Sequence, residues 1–306
     1  MTVSDEVIAR APAKINLVLG VGPLRPDGYH ELATVFHAVS LLDEVSVTAD
    51  DRVSVSVEGP ESDGVPLDAT NLAVRAAALL ARRAGVDDGA RIRIRKGIPV
   101  AGGMAGGSAD AAATLVACDA LWRTGLTREE LGDLAAELGS DVPFSLFGGT
   151  AVGAGRGERL TPALARGEYH WVVALADHGL RTPDVFAELD RMRAGREVAD
   201  PQVPARLMQA LRTGDAATLA ACLGNDLQEA ACALAPGLRR TLDVGRDAGA
   251  LAGLVSGSGP TVVFLVSGPE QALDVAVGLT AAGGVRDVRR VHGPVPGARL
   301  VEPVRA

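Results

Sequence analysis

Short stretches of this chain alternate apolar with polar residues, which is the pattern of a strand that buries one face. In residues 91–96, Ile92 and Ile94 fall on one side and arginines fall on the other. Residues 44–49 and 52–57 alternate valine with polar residues in the same way, so we expect antiparallel strands there. The predicted strands cover residues 7–21 with a proline break, 44–49, 52–57, 91–96, 169–176, 254–265 with a glycine turn, and 285–291.

Longer stretches rich in alanine and leucine carry the start and stop signals of helices. Asn71 and Gly85 bracket one of them, and Thr127 with Glu130 forms a capping box at the start of another. Thr182, which precedes a proline, is expected to be the N-cap of a further helix. The predicted helices cover residues 71–85, 108–122, 127–138, 182–193, 204–212, 215–223, 238–248 and 268–283.

The predicted elements divide the chain into two parts. Several helices follow one another after the strand at 169–176, which indicates a second domain. We therefore expect one domain over residues 1–165 and another over residues 166–306. A length of 306 residues agrees with two domains at about 100–200 residues each.

The composition is that of a globular, acidic protein, with 47% hydrophobic residues and a net charge of −8. Such a chain lacks the basic face that binds nucleic acids or anionic membranes, so we expect neither as a partner. No apolar run reaches about 18 residues, and no secretion signal precedes the first strand. We therefore expect a cytoplasmic protein. Cys118, Cys222 and Cys232 show no metal-binding spacing and are interpreted as reduced core residues.

Only two of the 30 basic residues are lysines, Lys14 and Lys96. Lysine has a compact ammonium group that arginine lacks, so each is a candidate for a specific site, with chance and codon bias as the alternative. Lys14 shares a strand face with Asn16, which predicts a polar site or, alternatively, an exposed edge strand. Lys96 lies on the same side as Ile92 and Ile94 and is expected to point toward the loop that follows.

A glycine-rich segment, residues 99–107, joins the strand at 91–96 to the helix at 108–122; we call it the glycine loop. Its four glycines let backbone N–H groups approach an anion, and the first turn of the helix adds unpaired donors and a partial positive charge. The loop is not a Walker A motif, because Ser108 stands where lysine is required. We predict a phosphate site of another type; the alternative is a glycine-rich turn without a ligand.

Two further places are candidates for chemistry. The turn at residues 26–28 presents Tyr29 and His30, a pair that can stack on a planar ring and hydrogen-bond to its edge. The alternative is that Tyr29 covers the core. Asp141 follows a helix and precedes Pro143, so it is either a general base on a rigid seat or the N-cap of another helix.

Three motifs follow one another along the chain: Pro-Ala-Lys-Ile-Asn at 12–16, Pro-x-x-x-Gly-x-x-Gly-Gly-Ser-x-Asp-Ala-Ala at 99–112, and Ser-Gly-Ser-Gly-Pro-Thr at 256–261. Together they resemble the GHMP kinase superfamily across nearly the full chain. The resemblance implies an α+β fold in two lobes, a ribosomal-S5-like N-terminal lobe and a ferredoxin-like C-terminal lobe, with the ligands in the cleft between them. It also implies ATP and Mg²⁺ as cofactors.

Five further segments resemble the branch of this superfamily that phosphorylates the 2-hydroxyl of 4-diphosphocytidyl-2-C-methyl-D-erythritol in the non-mevalonate route to isoprenoids. They lie at residues 11–17, 25–32, 139–144, 155–158 and 225–227. The resemblance implies a cytidine diphosphate-linked methylerythritol as the small-molecule partner, and we expect a monomer or a weak homodimer. Two other hypotheses are a GHMP kinase for a simpler alcohol such as mevalonate or homoserine, and a non-catalytic nucleotide-binding protein.

Position by position, the resemblance also implies roles for single residues. Asp141 matches the catalytic aspartate and Lys14 the lysine that supports it. The cytosine pocket is matched by Tyr29, His30 and Phe186, and polar contacts to the substrate are matched by Asn16 and Thr182. The adenine pocket is matched by Asn71, Leu72 and Lys96, and the triphosphate loop by Pro99, Gly102, Gly103, Met104, Ala105, Gly106, Gly107 and Ser108. Ser108 is also expected on the metal side, and the turn at 257–259 near the substrate diphosphate. The loop departs from a more glycine-rich form at Ala101, Met104 and Ala105.

Overall fold

The computed structural model describes residues 6–301, which contain twelve strands and ten helices. The strands are β1 Val7–Leu24, β2 His30–Asp50, β3 Ser54–Glu58, β4 Gly89–Arg95, β5 Thr150–Gly155, β6 Arg159–Pro162, β7 Tyr169–Leu175, β8 Gly224–Asn225, β9 Ala252–Val255, β10 Val262–Val266, β11 Asp287–Gly293 and β12 Arg299–Leu300. The helices are α1 Leu72–Ala84, α2 Gly106–Trp122, α3 Arg128–Leu138, α4 Val142–Phe147, α5 Thr182–Arg193, α6 Ala205–Thr213, α7 Ala216–Ala220, α8 Gln228–Leu234, α9 Gly237–Asp247 and α10 Pro269–Ala282.

The larger of two sheets has eight strands and is organised around the long strands β1 and β2. These two pair antiparallel over most of their length, and β2 changes its other neighbour from β5 to β4 along the way. The first half of β2 was not predicted, because its residues are buried on both faces and do not alternate. Two short strands from the second half of the chain, β8 and β12, also pair with β1.

The smaller sheet is antiparallel, in the order β11-β7-β10-β9. Val172 and Ala174 of β7 pack with helices α5, α8, α9 and α10, whereas Trp171 and Val173 belong to the core that also contains the larger sheet. The two sheets with segregated helices confirm the α+β prediction. The division at residues 165 and 166 stays a prediction, since β8 and β12 lie in the first sheet.

One predicted strand arrangement is wrong. Pro12 does not break a strand: β1 continues through it, and the pairing register shifts between Pro12 and Ala13. A bulge is a position at which a sheet tolerates the missing N–H of proline. The predicted strands at 44–49 and 52–57 both form, and β4 lies between them, antiparallel to β2 and parallel to β3.

The helices agree more closely with the sequence. Asn71 caps α1, Gly85 ends it in the left-handed conformation, and α3 has its capping box. The N-cap of α5 is Arg181 rather than Thr182, and α2 begins two residues earlier than predicted, at Gly106. Within residues 6–301, none of the helices combines the length and the apolar character needed to cross a membrane.

The chain returns to the larger sheet after β11. β12 pairs with β1, and residues just before it support α4: the N–H of Ala298 donates to the carbonyl oxygen of Ser145 at 2.9 Å. The N–H of Gly149 donates to the carbonyl oxygen of Val295 at 2.8 Å. The segment that follows the smaller sheet is therefore part of the architecture around residue 141.

Candidate active site

One cavity of about 1260 Å³ is lined by strands of the larger sheet, by helix α5 and by the turn that joins two strands of the smaller sheet. Its walls come from β1, the turn before β2, the glycine loop, the start of α4, helix α5 and the turn at 257–258. Pockets for one small ligand usually measure about 300–1,000 Å³. The cavity therefore has room for two ligands side by side.

Lys14 and Asp141 face each other in this cavity. Lys14 Nζ lies 3.8 Å from Asp141 Oδ2 and donates to Asn16 Oδ1 at 2.9 Å. Register shifts flank this part of β1, between Pro12 and Ala13 and again after Asn16, and such bulges re-aim side chains beside active sites. The Lys14 N–H also donates to the carbonyl oxygen of Met104 at 3.1 Å, which ties the strand to the glycine loop.

Asp141 occupies the N-cap position of α4, but its side chain makes no capping hydrogen bond. Its backbone starts the helix instead, since the carbonyl oxygen of Asp141 accepts the N–H of Ser145 at 3.1 Å. Asp141 is therefore an N-cap by position, and its carboxylate faces the cavity and Lys14, while the role as a general base stays a prediction.

Asn16 orients the lysine through a chain of hydrogen bonds. Its Nδ2 donates to Thr34 Oγ1 at 2.7 Å, and Thr34 Oγ1 donates to the carbonyl oxygen of Val18 at 2.7 Å. Asn16 is only 1% exposed and both ends of its amide have protein partners. The predicted face sharing of Lys14 and Asn16 is confirmed, and the exposed-edge alternative is wrong because Lys14 and Asn16 are only 7% and 1% exposed.

The glycine loop ends in an uncapped helix. Ala105, the N-cap of α2, has a φ of 60° and makes no side-chain hydrogen bond, so the first N–H groups of the helix are free of a capping side chain. Gly103 has a φ of 72°, and a Cβ there would lie 2.2 Å from the carbonyl oxygen of Ser256. Only glycine fits at that position. The arrangement is suited to an anion at the N-terminus of α2.

Lys96 lies beneath this helix start between two buried carboxylates. Its Nζ donates to Asp43 and, at 2.9 Å, to Asp110 Oδ2. Burial opposes the charged form, but Asp110 and Asp43 raise the pKa of Lys96 above its ordinary value. Burial, reinforced by Asp43, raises the pKa of Asp110 well above its usual range, which favours its neutral form. The ammonium of Lys96 is therefore compensated within the protein, although Lys96 also lines the cavity.

The far end of the cavity carries aromatic residues. The rings of His30 and Phe186 stack with centroids 5.3 Å apart and planes at 25°. Tyr29 is 53% exposed and lines the cavity, so it does not cover the core. Arg156 lies over the Tyr29 ring at 4.8 Å from its centroid, and His30 Nε2 lies 3.3 Å from Asp190 Oδ2. This end offers ring faces and hydrogen-bonding groups to a planar ligand.

The glycine-rich turn at 257–259 docks onto the glycine loop. Ser256 Oγ donates to the carbonyl oxygen of Gly103 at 3.2 Å, and a Cβ at Gly257 would lie 3.5 Å from Lys14 Nζ. Asn225 Nδ2 holds the turn by donating to the carbonyl oxygen of Gly257 at 2.7 Å. Thr182 Oγ1 lies 2.9 Å from Ser258 Oγ. The turn therefore closes the cavity beside Lys14.

The structure gathers most of the predicted site residues around this cavity. Those that line it are Lys14, Asn16, Tyr29, His30, Lys96, Pro99, Gly102, Gly103, Ala105, Gly106, Gly107, Asp141, Thr182 and Phe186. In the part of the chain that the structure describes, four others lie outside the lining: Asn71, Leu72, Met104 and Ser108. Asn71 uses its amide to cap α1 and to bind the carbonyl oxygen of Pro66, while Leu72 lies against Gly107.

Sequence reasoning missed several residues that shape the site. Thr34, Asp43 and Asp190 carry no local motif, and their partners lie far away in the sequence. Arg156 and Asn225 lay within segments that resembled known kinases, but the sequence assigned them no contact. Only the folded chain shows that Arg156 lies over the ring of Tyr29 and that Asn225 binds the turn at 257–259.

Comparison with known proteins agrees with the three motifs. Residues 71–149 match the model for GHMP kinases N terminal domain, and residues 207–284 match the model for GHMP kinases C terminal. A 4-diphosphocytidyl-2-C-methyl-D-erythritol kinase of Rhodococcus jostii is 60% identical over 96% of this chain and 95% of its own length. One from Nocardia farcinica is 58% identical over 98% of both chains.

Solved structures give the same result. A crystal structure of 4-(cytidine 5'-diphospho)-2C-methyl-D-erythritol kinase matches with a TM-score of 0.76 at 36% identity, covering 93% of this chain and 98% of its own. A homoserine kinase from Cytophaga hutchinsonii matches with the same TM-score of 0.76 over 98% of this chain and 99% of its own, but at 18% identity it is similar in fold alone. With both domain models and relatives matched over nearly the full length, the chain belongs to the GHMP kinase family.

Proposed function

We propose that this protein is an ATP-dependent kinase that phosphorylates the 2-hydroxyl of 4-diphosphocytidyl-2-C-methyl-D-erythritol, giving the 2-phosphate and ADP in isoprenoid precursor biosynthesis. The observation that carries the proposal is a single cavity with a Lys14–Asp141 pair, a glycine loop at a helix N-terminus and an aromatic end. Relatives at 58–60% identity that bear this activity in their names support it.

Asp141 is proposed to orient the 2-hydroxyl and to accept its proton as the new P–O bond forms. A carboxylate is too weak a base to deprotonate an alcohol beforehand, so proton transfer accompanies bond formation. Lys14, held at 3.8 Å from Asp141 by Asn16, offsets negative charge at the carboxylate and at the attacking oxygen. This pair is the catalytic part of the proposal.

The glycine loop is proposed to bind the triphosphate of ATP. Its helix N-terminus has no capping side chain, so the first N–H groups are free to bind an anion. Glycine at 103 and 106 lets the loop pack closely, because a Cβ there would lie 2.2 Å from the carbonyl oxygen of Ser256 and 3.1 Å from Lys96 Nζ, respectively. The ammonium of Lys96 is already paired with Asp43 and Asp110. In this acidic protein the backbone N–H groups therefore supply the partial positive charge that binds the phosphates. Asn71 and Leu72 stay predictions for the adenine pocket.

Mg²⁺ fits this site as a companion of the nucleotide. Among residues 6–301 there is no group of three or more histidine, cysteine or acidic side chains able to hold a metal. Mg²⁺ in kinases needs fewer protein ligands, because phosphates and water complete its shell. The Ser108 hydroxyl, at the third residue of α2, is the proposed protein ligand. Held there, the metal would supply positive charge that offsets the negative charge of the phosphates.

The aromatic end is proposed to bind the cytosine ring. Tyr29 offers an exposed ring face and Phe186 closes the opposite wall from α5, where it stacks on His30. A stacked base contributes about 1–3 kcal/mol of binding free energy. Specificity for a cytidylyl substrate therefore depends on residues remote from the transferred phosphate.

The test is a coupled ADP-release assay with Mg²⁺-ATP and a panel of alcohols that includes the cytidylyl substrate, mevalonate and homoserine. We expect turnover with the cytidylyl substrate and, for Asp141→Asn, a loss of about 10²–10⁴ in kcat with ATP binding retained. The matched control is Asp133→Asn, an exposed residue of α3, which should leave kcat unchanged. Turnover with another alcohol alone, or a fully active Asp141→Asn, contradicts the proposal.

A further inference from the structure

The peptide just before the glycine loop is held from both sheets. Asp43 of β2 uses Oδ1 to accept the N–H of Gly97 at 2.7 Å and the N–H of Ile98 at 2.9 Å. From the other side, Arg289 of β11 donates through Nη1 to the carbonyl oxygen of Gly97 at 3.0 Å. Both polar backbone groups of residue 97 thus have side-chain partners that come from different sheets.

The guanidinium of Arg289 is itself fixed. Its Nε donates to Asp287 Oδ2 at 2.7 Å, and its Nη2 lies 3.4 Å from Glu61 Oε1. Glu61 follows β3, is 5% exposed, and accepts a second bond from Arg286 Nη2 at 2.8 Å through Oε2. Because Glu61 is buried and pairs with both arginines, it holds the guanidinium of Arg289 in the position from which Arg289 reaches Gly97.

Residues 96–98 form the floor under the start of α2. A Cβ at Gly97 would lie 2.6 Å from the carbonyl oxygen of Leu42, so this peptide rests directly on β2. A Cβ at Gly106 would lie 3.1 Å from Lys96 Nζ and 3.2 Å from Ile98 Cγ2. A shift at residue 97 therefore moves the first residue of the helix whose N–H groups face the cavity.

We infer that Arg289 is a positioning residue for nucleotide binding: through the carbonyl of Gly97 it holds the floor of the glycine loop, and Glu61 keeps its guanidinium in place. The inference rests on the proposed function insofar as the glycine loop binds the phosphates of ATP. In the described part of the chain, Arg289 lies outside the cavity lining, so it acts on the nucleotide through Gly97.

The experiment compares Arg289→Ala with Arg286→Ala by calorimetric titration of each variant with Mg²⁺-ATP and, separately, with CDP. Arg286 is the matched control because it binds the same Glu61, while among the described residues its side chain makes no hydrogen bond to the glycine loop or to residue 97. We expect Arg289→Ala to weaken ATP binding by about tenfold, as for the loss of a charge-assisted hydrogen bond. For Arg289→Ala, CDP binding should change by less than about twofold, because CDP is not expected to depend on the Gly97 carbonyl. For Arg286→Ala, ATP binding should also change by less than about twofold, because Arg286 does not bind that carbonyl. Arg289→Lys, which retains one donor, should recover most of the affinity.

Two results overturn the inference: Arg289→Ala binds ATP like the unmodified protein, or both alanine variants lose ATP affinity equally. If Arg289→Ala does not fold, as judged by its thermal transition, Glu61→Gln takes its place. That variant should weaken ATP binding and leave CDP binding intact, and unchanged ATP binding overturns the inference again. These titrations do not depend on which alcohol is phosphorylated. If ATP binds but the cytidylyl substrate is not turned over, the proposed function fails while the role of Arg289 is still decided.

Discussion

The buried imidazole of His37 should make this protein lose stability in mild acid. His37 lies in β2, is 0% exposed, and packs against Tyr169 and Trp171 of β7, with ring centroids 5.8 and 6.0 Å away. Its Nδ1 lies 2.9 Å from Thr150 Oγ1. Burial lowers the pKa of His37 from 6.5 to about 4, and a backbone contact at Gly293 offsets part of that lowering.

The sign of the effect follows from which state binds the proton. Above pH 6.5 the imidazole is neutral in the folded and unfolded chain, and its full contribution to stability is present. As the pH falls from 6.5 toward 4, the unfolded chain takes up a proton that the native core rejects. The free energy of unfolding should fall by up to about 1.36 kcal/mol per pH unit, and by about 3 kcal/mol over the whole window.

Urea unfolding at pH 7.5, 6.5, 5.5 and 4.5 measures this loss, with His37→Asn as the perturbation. Asparagine keeps a polar group near Thr150 but does not titrate, so its stability should fall less between pH 6.5 and 4.5, by about 2–3 kcal/mol. His292→Asn is the matched control, because it removes an imidazole that is 47% exposed rather than buried. Parallel pH profiles for His37→Asn and the unmodified protein refute the reasoning.

Three further predictions address other buried or exposed groups. Lys96→Met leaves Asp43 and Asp110 facing each other in a buried site. It should lower the free energy of unfolding at pH 7 by about 3–5 kcal/mol; a loss below about 1 kcal/mol in urea titrations contradicts the ion-pair argument. Tyr29→Ala should raise the KM for the cytidylyl substrate by about tenfold or more while the KM for ATP stays the same, and an unchanged substrate KM removes Tyr29 from the base pocket. Burial raises the pKa of the Cys118 thiol to about 12, so mass spectrometry should find it unmodified by a thiol reagent at pH 8 until the protein is unfolded. Rapid modification of the native protein would show that α2 opens.

Local patterns predicted the elements and the residues whose positions depend on them. Lys14 and Asn16 fall on one face of β1 because strand side chains alternate, and α1 begins and ends at its capping residues. The glycine loop leads into α2 as expected, because the alanine-rich residues that follow it favour a helix and its glycines do not.

Side-chain pairs across distant elements were not predictable in the same way. Asp43 reaches Lys96 and the N–H of Gly97 from a strand more than 50 residues earlier, in an apolar stretch without any motif. The residues around Asp141 permitted a helix cap or a general base; the folded chain places its carboxylate 3.8 Å from Lys14, and the role as a general base stays a prediction. The strand break predicted at Pro12 was wrong, because a bulge that accommodates proline depends on the pairing with the neighbouring strand, which the local sequence does not specify.

The return of the chain to its first sheet has a consequence for folding during synthesis. β12 pairs with β1, so residues 9–10 meet partners that the ribosome adds almost 290 residues later. Ala298 also donates to Ser145 in the short helix that follows Asp141. Residues 6–165 therefore cannot complete the edge pairing of β1, or the support beneath the Asp141 carboxylate, until residues 298–300 have been translated. An isolated fragment of residues 6–165 would leave that edge open to pair with other chains.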